Sequence, residues 1–266
     1  MKIYAIRDNT IDRNKDLGYF FYCEGAGECC IEINENVDEW ELPFILEHFA
    51  RDKQLTVDEY HTKLFISQRI IPSDRQNIGM ILKNNGLDEY DEIKLFILAD
   101  GRCCQDECYI KPISREEVSA GVKKRMNHRL ISFMLTQSDM IMMSFANGEI
   151  GMVNIEKVRK NYGWMREYME RLSLAEPSSC GASLKITERV HVVSEKLYEE
   201  SEILPVNLNE VSSFLSGNFL TTAQVCDELN CTRQNVNDLA KRGKLNPVNW
   251  GGDALLFDRR EVISRK

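Results

Sequence analysis

At 266 residues the chain exceeds one typical domain, so two or three compact domains are expected. Apolar residues at 43% and charged residues at 29% exclude a wholly disordered chain, and 15 glycines with 6 prolines exclude a fibrous or low-complexity one. A net charge of −8 argues against a generally basic nucleic-acid coat and leaves room for one local basic module.

No apolar run reaches the ~18 residues of a membrane span, so no membrane partner is expected. The start, Met1-Lys2-Ile3-Tyr4-Ala5-Ile6-Arg7-Asp8, meets charges at once and lacks the apolar core of a signal peptide, which predicts a cytoplasmic protein. The nine cysteines are then expected as reduced thiols. The densest group is Cys103-Cys104 with Cys108, and Cys29-Cys30 lies upstream. Spacings of CC and CxxxC, with no histidine nearby, are not those of a zinc site, and the thiols read as small buried apolar groups. His48, His61, His128 and His191 are scattered and show no ligand pair. Neither a metal nor a cofactor is expected.

In chain order, Lys2–Arg7 reads as a strand, 8–16 as a polar connection, and Gly18–Cys23 with Glu28–Ile33 as a hairpin around Glu24-Gly25-Ala26-Gly27. Trp40–Asp52 reads as a helix with Pro43 in its first turn and Leu42, Ile45, Leu46 and Phe49 on one face. Helices over Val57–Ile66, over Asp74–Asn84 with Ser73 as cap and Gly86 as stop, and over Glu89–Ala99 are expected next. Cys108–Ile110 reads as a short strand stopped at Pro112, which closes an N-terminal α+β domain over 1–113.

Within it, Arg69, Pro72, Arg75, Asn77, Ile81-Leu82, Gly86-Leu87, Tyr90-Asp91, Gly101-Arg102 and Asp106 resemble a segment associated with HipA-like proteins of Gram-positive bacteria. The likeness stops at that segment. No glycine-rich phosphate loop or catalytic aspartate motif accompanies it, so it carries no kinase activity. The same stretch reads equally as a helical pair capped by Ser73 and Gly86.

The charged stretch Ser114–Lys124 reads as a connector. A β-hairpin-plus-helix domain over 127–204 follows, with strands Leu130–Thr136, Met140–Phe145 and Ile150–Ile155 and an Asn147-Gly148 turn. Glu156–Leu172 reads as one amphipathic helix with Val158, Tyr162, Met165, Met169 and Leu172 in its stripe. Its cationic side, with acids interspersed, reads as a solvated face. Ser183–Ile186 and Arg189–Val193 read as a strand pair, followed by a helical turn over Ser194–Tyr198. The Phe145-Ala146-Asn147-Gly148 hairpin, the helix after it and the Val193-Ser194 to Leu197-Tyr198 ending resemble a small bacterial domain of unknown function linked to antitoxins and regulators. That likeness implies a compact unit and no chemistry.

Leu204–Gly217 reads as a linker with a short helix, and beyond it the charge changes sign. Residues 218–266 hold eight Lys/Arg against six Asp/Glu, a balance of +2, whereas the preceding 217 residues hold 26 against 36, a balance of −10. Basic character is segregated as a local nucleic-acid surface requires. Thr221 is placed to cap a helix over Thr222–Leu229, and Asn230-Cys231-Thr232 to turn the chain. Thr232 then caps a second helix, Arg233–Arg242, which Gly243 ends. Two short helices joined by a tight turn are the helix-turn-helix pattern. Lys244–Val248, a turn at Gly251-Gly252-Asp253 and Ala254–Phe257 read as a β-wing, and Asp258 caps a last helix over Arg259–Ser264.

Four runs carry a family likeness: Leu220-Thr221-Thr222-Ala223-Gln224-Val225, Thr232-Arg233-Gln234-Asn235-Val236, Arg242-Gly243-Lys244-Leu245 and Phe257-Asp258-Arg259-Arg260-Glu261-Val262. They resemble the excisionase/MerR-like winged helix-turn-helix family, which implies a C-terminal winged domain over 218–266 and double-stranded DNA as partner. Asp238 on the second helix and Trp250 at the wing depart from a uniformly cationic surface. The residues expected at DNA are Thr221, Thr232, Arg233, Gln234, Asn235, Asn237, Lys241, Arg242 and Lys244. Arg reads guanine, Asn or Gln reads adenine, and Lys241, Arg242 and Lys244 hold phosphates. A single such module buries only ~600–1,000 Å², so the upstream domains are expected to supply a homodimer contact or a protein partner.

The sequence thus predicts a multi-domain α+β, non-enzymatic, DNA-binding regulator or excisionase-like factor. An antitoxin-like or phage-related adaptor that docks protein is the second expectation. No nucleophile elbow, HExxH, Walker loop or Rossmann glycine set is found, so no catalytic residue is assigned.

Overall fold

The computed structural model describes residues 1–11, 15–136, 138–161, 163–251 and 254–265. They form a mixed α+β protein built on antiparallel sheets. Where the sequence suggests units over 1–113, 127–204 and 218–266, the contacts group the chain as Met1–Leu204 and Pro205–Lys266.

The first unit opens with β1 (Lys2–Asp8), β2 (Gly18–Cys23) and β3 (Glu28–Ile33). A 3₁₀ turn at Glu39–Glu41 leads to α1 (Phe44–Arg51), β4 (Thr56–Val57), α2 (Glu59–Ser67), α3 (Ile78–Asn84), α4 (Glu92–Leu98) and β5 (Cys108–Pro112). The sheet order is β4-β3-β2-β1-β5. Pro112 sits on the edge strand β5 opposite Tyr4, where its missing N–H costs little. Gly18 lets β2 approach β3 closely, because a Cβ there would lie 2.6 Å from the Glu32 carbonyl oxygen.

Helix starts shift from the sequence reading for local reasons. Val57 pairs with Ile31 in the sheet, so α2 begins two residues later, with Asp58 accepting the His61 backbone N–H at 3.0 Å. The third helix opens at Ile78 beside Asn77 rather than at a Ser73 cap, and Ile78, Ile81 and Leu82 are only half-buried. Asp91 accepts the Lys94 backbone N–H at 3.0 Å and starts α4 at Glu92.

Both sheet faces are covered, which explains why Tyr19-Phe20-Phe21-Tyr22 is apolar throughout rather than alternating. Tyr4, Ile6, Phe20, Ile31 and Ile33 pack with Leu46, Phe49, Phe65, Ile66 and Phe96 from α1, α2 and α4. Ile3, Ala5, Tyr19, Phe21 and Cys30 pack on the other side with Val118, Val122 and Met126. Val118 and Val122 belong to the stretch expected as a connector, and Met126 follows it. After a 3₁₀ turn at Arg115–Glu117 the chain forms α5 (Ala120–Asn127), with Ser119 accepting the Val122 N–H at 3.5 Å. Arg125, the residue just after that charged stretch, is buried and donates to Glu32 at 2.9 Å, Glu35 at 2.9 Å and the Ile33 carbonyl at 2.6 Å.

The chain continues as β6 (Leu130–Leu135), β7 (Met140–Phe145) and β8 (Glu149–Asn154), with Gly148 at φ +85° in the Asn-Gly turn. The single helix expected over Glu156–Leu172 is instead α6 (Ile155–Asn161) followed by a 3₁₀ run, Gly163–Leu174. A helix-weakening glycine stands at that break. Tyr162 and the side chains of Met165 and Met169, placed in one stripe from sequence, lie outside the described residues, while Val158 and Leu172 are buried. Next come β9 (Glu176–Pro177), β10 (Ser183–Lys185), β11 (His191–Val193), α7 (Ser194–Glu200) and β12 (Glu202–Asn207). The sheets are ordered β12-β8-β7-β6 and β11-β10-β9, around a core that includes Ile141, Met143, Phe145, Val153, Leu184 and Leu197. Among the described residues no helix is long and apolar enough to cross a membrane.

The second unit runs α8 (Leu208–Asn218), β13 (Phe219–Thr221), α9 (Thr222–Glu228), α10 (Arg233–Lys241), β14 (Val248–Gly251), β15 (Ala254–Asp258) and α11 (Arg259–Ile263). The stretch expected as a linker holds the eleven-residue α8, closed at its start by a reciprocal Asn207–Glu210 cap. The sheet order is β13-β15-β14.

Candidate nucleic-acid interface

The second unit is small, and six buried residues hold it: Leu220, Val225, Val236, Leu245, Phe257 and Val262. Each comes from a different segment, so β13, α9, α10, the turn after it, β15 and α11 are tied at one point. Leu239 and Ala240 pack beside them. Val236, Leu239 and Ala240 therefore fix which side of α10 faces inward.

Both helix starts are capped as the threonine spacing predicts. Thr221 accepts the Gln224 N–H at 3.4 Å, and the Gln224 side chain returns to the Thr221 N–H at 2.9 Å. Thr232 accepts the Asn235 N–H at 3.3 Å. Asn230 adopts φ +50° in the turn between them, a conformation asparagine tolerates. Downstream, the Asn246 backbone N–H and side-chain amide both donate to the Glu261 carboxylate, at 3.0 and 2.8 Å, fastening the chain before β14 to α11.

Thr221, Thr232, Arg233, Gln234, Asn235, Asn237, Lys241, Arg242 and Lys244 are all exposed. Successive helical residues are rotated by about 100°. Gln234, Asn237 and Lys241 therefore share the ridge opposite Val236, with Arg233 on one flank and Asn235 on the other. Arg242 and Lys244 follow at the helix end, on either side of Gly243 at φ +64°. Thr221 belongs to the preceding helix start and stands apart from that ridge in the chain. Asp238 also falls on the ridge, half-buried. Among the described residues no ion pair involves Arg233, Lys241, Arg242 or Lys244.

Strand β14 pairs with β15 through Val248–Leu256 and Asn249–Leu255, with an irregularity before Gly251–Ala254. Trp250 sits at that irregularity, 58% exposed. Gly252 and Asp253, expected in the turn, and Lys266 lie outside the described residues.

The first unit contains two constellations that the sequence reading left dispersed. His48, His61 and His191 line one cavity of about 470 Å³ with Asp52 and Asp58. The His61 ring is 2.9 Å from Asp58, and the His191 ring is 3.2 Å from the Ser183 hydroxyl. Asp58 and His61, three apart at a helix start, were a readable signal; His191 arrives through tertiary structure alone. Among the described residues no group of three or more His, Cys, Asp or Glu is placed to hold a metal ion. The second constellation brings Cys23, Cys30 and Cys180 into one packed cluster. Of the densest cysteines in the sequence, Cys103, Cys104 and Cys108, Cys104 is exposed and Cys108 is buried on β5.

Compared with protein-family models, curated proteins and solved structures, the chain matches none of them.

Proposed function

We propose that the chain is a DNA-binding protein without catalytic activity, a transcriptional regulator or excisionase-like factor working in the cytoplasm. In this reading its second unit is a winged helix-turn-helix of excisionase/MerR type. The observation that carries the reading is the exposure of all nine expected residues around a threonine-capped α10, with Gln234, Asn237 and Lys241 on one outward ridge. A helix start offers free N–H groups and the positive end of a dipole to phosphate. Gln234 and Asn237 suit adenine edges, Arg233 suits guanine, and Lys241, Arg242 and Lys244 suit the backbone. The strands β14 and β15 would serve as the wing. The part of the chain before Gly217 would supply a homodimer contact or meet a protein partner.

A protein-docking adaptor is the second reading. It draws on Asp238, which opposes phosphate on the ridge, and on exposed Val248 and Trp250 of β14, which suit an apolar partner.

Titration of the full chain with random-sequence duplex over a salt series separates the two. DNA binding predicts affinity that falls linearly with log salt, and Arg233→Ala with Lys241→Ala should flatten the slope by about 2. Binding that ignores salt, or a double variant with an unchanged slope, would defeat the assignment of α10.

A further inference from the structure

Three thiols meet where the end of β2, the middle of β3 and the turn before β10 converge. The Cys23 and Cys180 sulfurs are 2.7 Å apart, and Cys30 belongs to the same packed cluster. A disulfide needs about 2.05 Å, so a small side-chain shift joins the first pair.

The turn that carries Cys180 is fixed on both sides. Gly181 donates to the Ser178 carbonyl at 2.7 Å and adopts φ +68°, and a Cβ there would come within 2.8 Å of the Leu130 carbonyl oxygen. The Ser179 N–H donates to the Glu28 carboxylate, which also accepts from Lys185 at 2.8 Å. Glu28 pairs with Cys23 across the β2–β3 hairpin. The hairpin and the turn thus hold the two sulfurs together without a covalent link.

The pair is reachable. Half-buried Cys23 and buried Cys180 line a cavity of about 550 Å³ together with Met1, Arg115 and Arg129. Arg129 is buried over the Phe21 ring, with one guanidinium nitrogen 3.7 Å from the Cys30 sulfur and 3.5 Å from Glu32. Its Nε–H has no acceptor among the described residues. A buried cation with a spare donor beside the thiols favours a thiolate and steadies a departing hydroxide.

The two sulfurs are also differentiated. The bond from the Cys180 thiol holds Cys23 down to about 7, helped by Arg129 and the N-terminal ammonium and opposed by burial and Glu28. The bond with Cys23, together with burial, pushes Cys180 up. Half-buried Cys23 is also more open to an oxidant than buried Cys180, which suits Cys23 to react first and Cys180 to follow.

We propose that Cys23 and Cys180 form a peroxide-reactive pair that closes to a disulfide. The Cys23 thiolate attacks one oxygen of hydrogen peroxide; the S–O bond forms, the O–O bond breaks, and hydroxide leaves and takes up a proton as water. Cys180 gives up its proton and its sulfur attacks the Cys23 sulfur; the S–S bond forms, the S–O bond breaks, and a second water leaves. Two thiols lose two electrons, and one peroxide is reduced to two waters. The chemistry lies within Met1–Leu204 and does not depend on the DNA reading.

The test is thiol mapping of the full chain after one equivalent of hydrogen peroxide at pH 7, with free thiols blocked, the protein digested and peptides weighed. The expected product is a Cys23–Cys180 linked peptide, reversed by dithiothreitol and formed at least tenfold faster than any change at exposed Cys104. In Cys180→Ser the sulfenic acid on Cys23 should persist and be trapped by dimedone; in Cys23→Ser no linked peptide should form. Full alkylation of Cys23 and Cys180 after peroxide, oxidation led by Cys104, or a bridge through Cys30 would overturn the proposal. The wild-type map decides alone if either variant fails to fold.

Discussion

Thr232 shows how far a single side chain can be read. Its hydroxyl stands three residues before the N–H it bonds, and the structure places it 3.3 Å from that Asn235 nitrogen. Thr232→Ala should cost about 1 kcal/mol of stability and Thr232→Ser almost none, measured as the denaturant midpoint of the second unit within the full chain. Asp58 carries the pH dependence. Burial works against its charged form, but the His61 ring and backbone N–H outweigh that and hold the carboxyl below its ordinary value. A group depressed in the folded state adds stability above its unfolded pKa and loses it as pH falls through the folded one. The melting temperature should therefore drop as the pH falls below about 4, more steeply in wild type than in Asp58→Asn. Caps of this kind are legible because donor and acceptor lie three residues apart. The meeting of Cys23 with Cys180 was not legible, because only the folded sheet and turn bring them together.

At the scale of the element, type survived better than boundary. The first three strands were readable from apolar runs between turns, and the two helices of the second unit from cap and stop residues. What sequence pattern hid was α5, whose charges read as a linker. Its Arg125 is neutralised by Glu32 and Glu35, partners over ninety positions away in the buried pair and unknowable from local periodicity. Removing that guanidinium leaves Glu32, 1% exposed, without its closest cation. Arg125→Ala should destabilise the first unit by about 3–5 kcal/mol, visible as a lower urea midpoint. The reverse error occurred after Ile155, where a regular apolar spacing suggested one helix and the chain changes to a 3₁₀ run at Gly163. Strand β13 was also missed: three residues are too few to show alternation, and Leu220 is recognised only by its pairing with Phe257.

For the whole molecule, charge is the organising fact. The first 217 residues carry −10 and the last 49 carry +2, so an acidic chain ends in a cationic module. In the proposed reading the protein should approach DNA through that module alone. If it works as a regulator it should also sediment as a dimer at micromolar concentration, since one winged module offers too little surface for a selective site. A monomer combined with tight site-specific binding would remove the dimer from the account. The most direct test is lysine acetylation of the full chain with and without duplex DNA, read by peptide mass. The account predicts strong protection of Lys241 and Lys244 and unchanged labelling of lysines such as Lys2, Lys53 and Lys83; equal labelling of Lys241 and Lys244 with and without saturating duplex would contradict it.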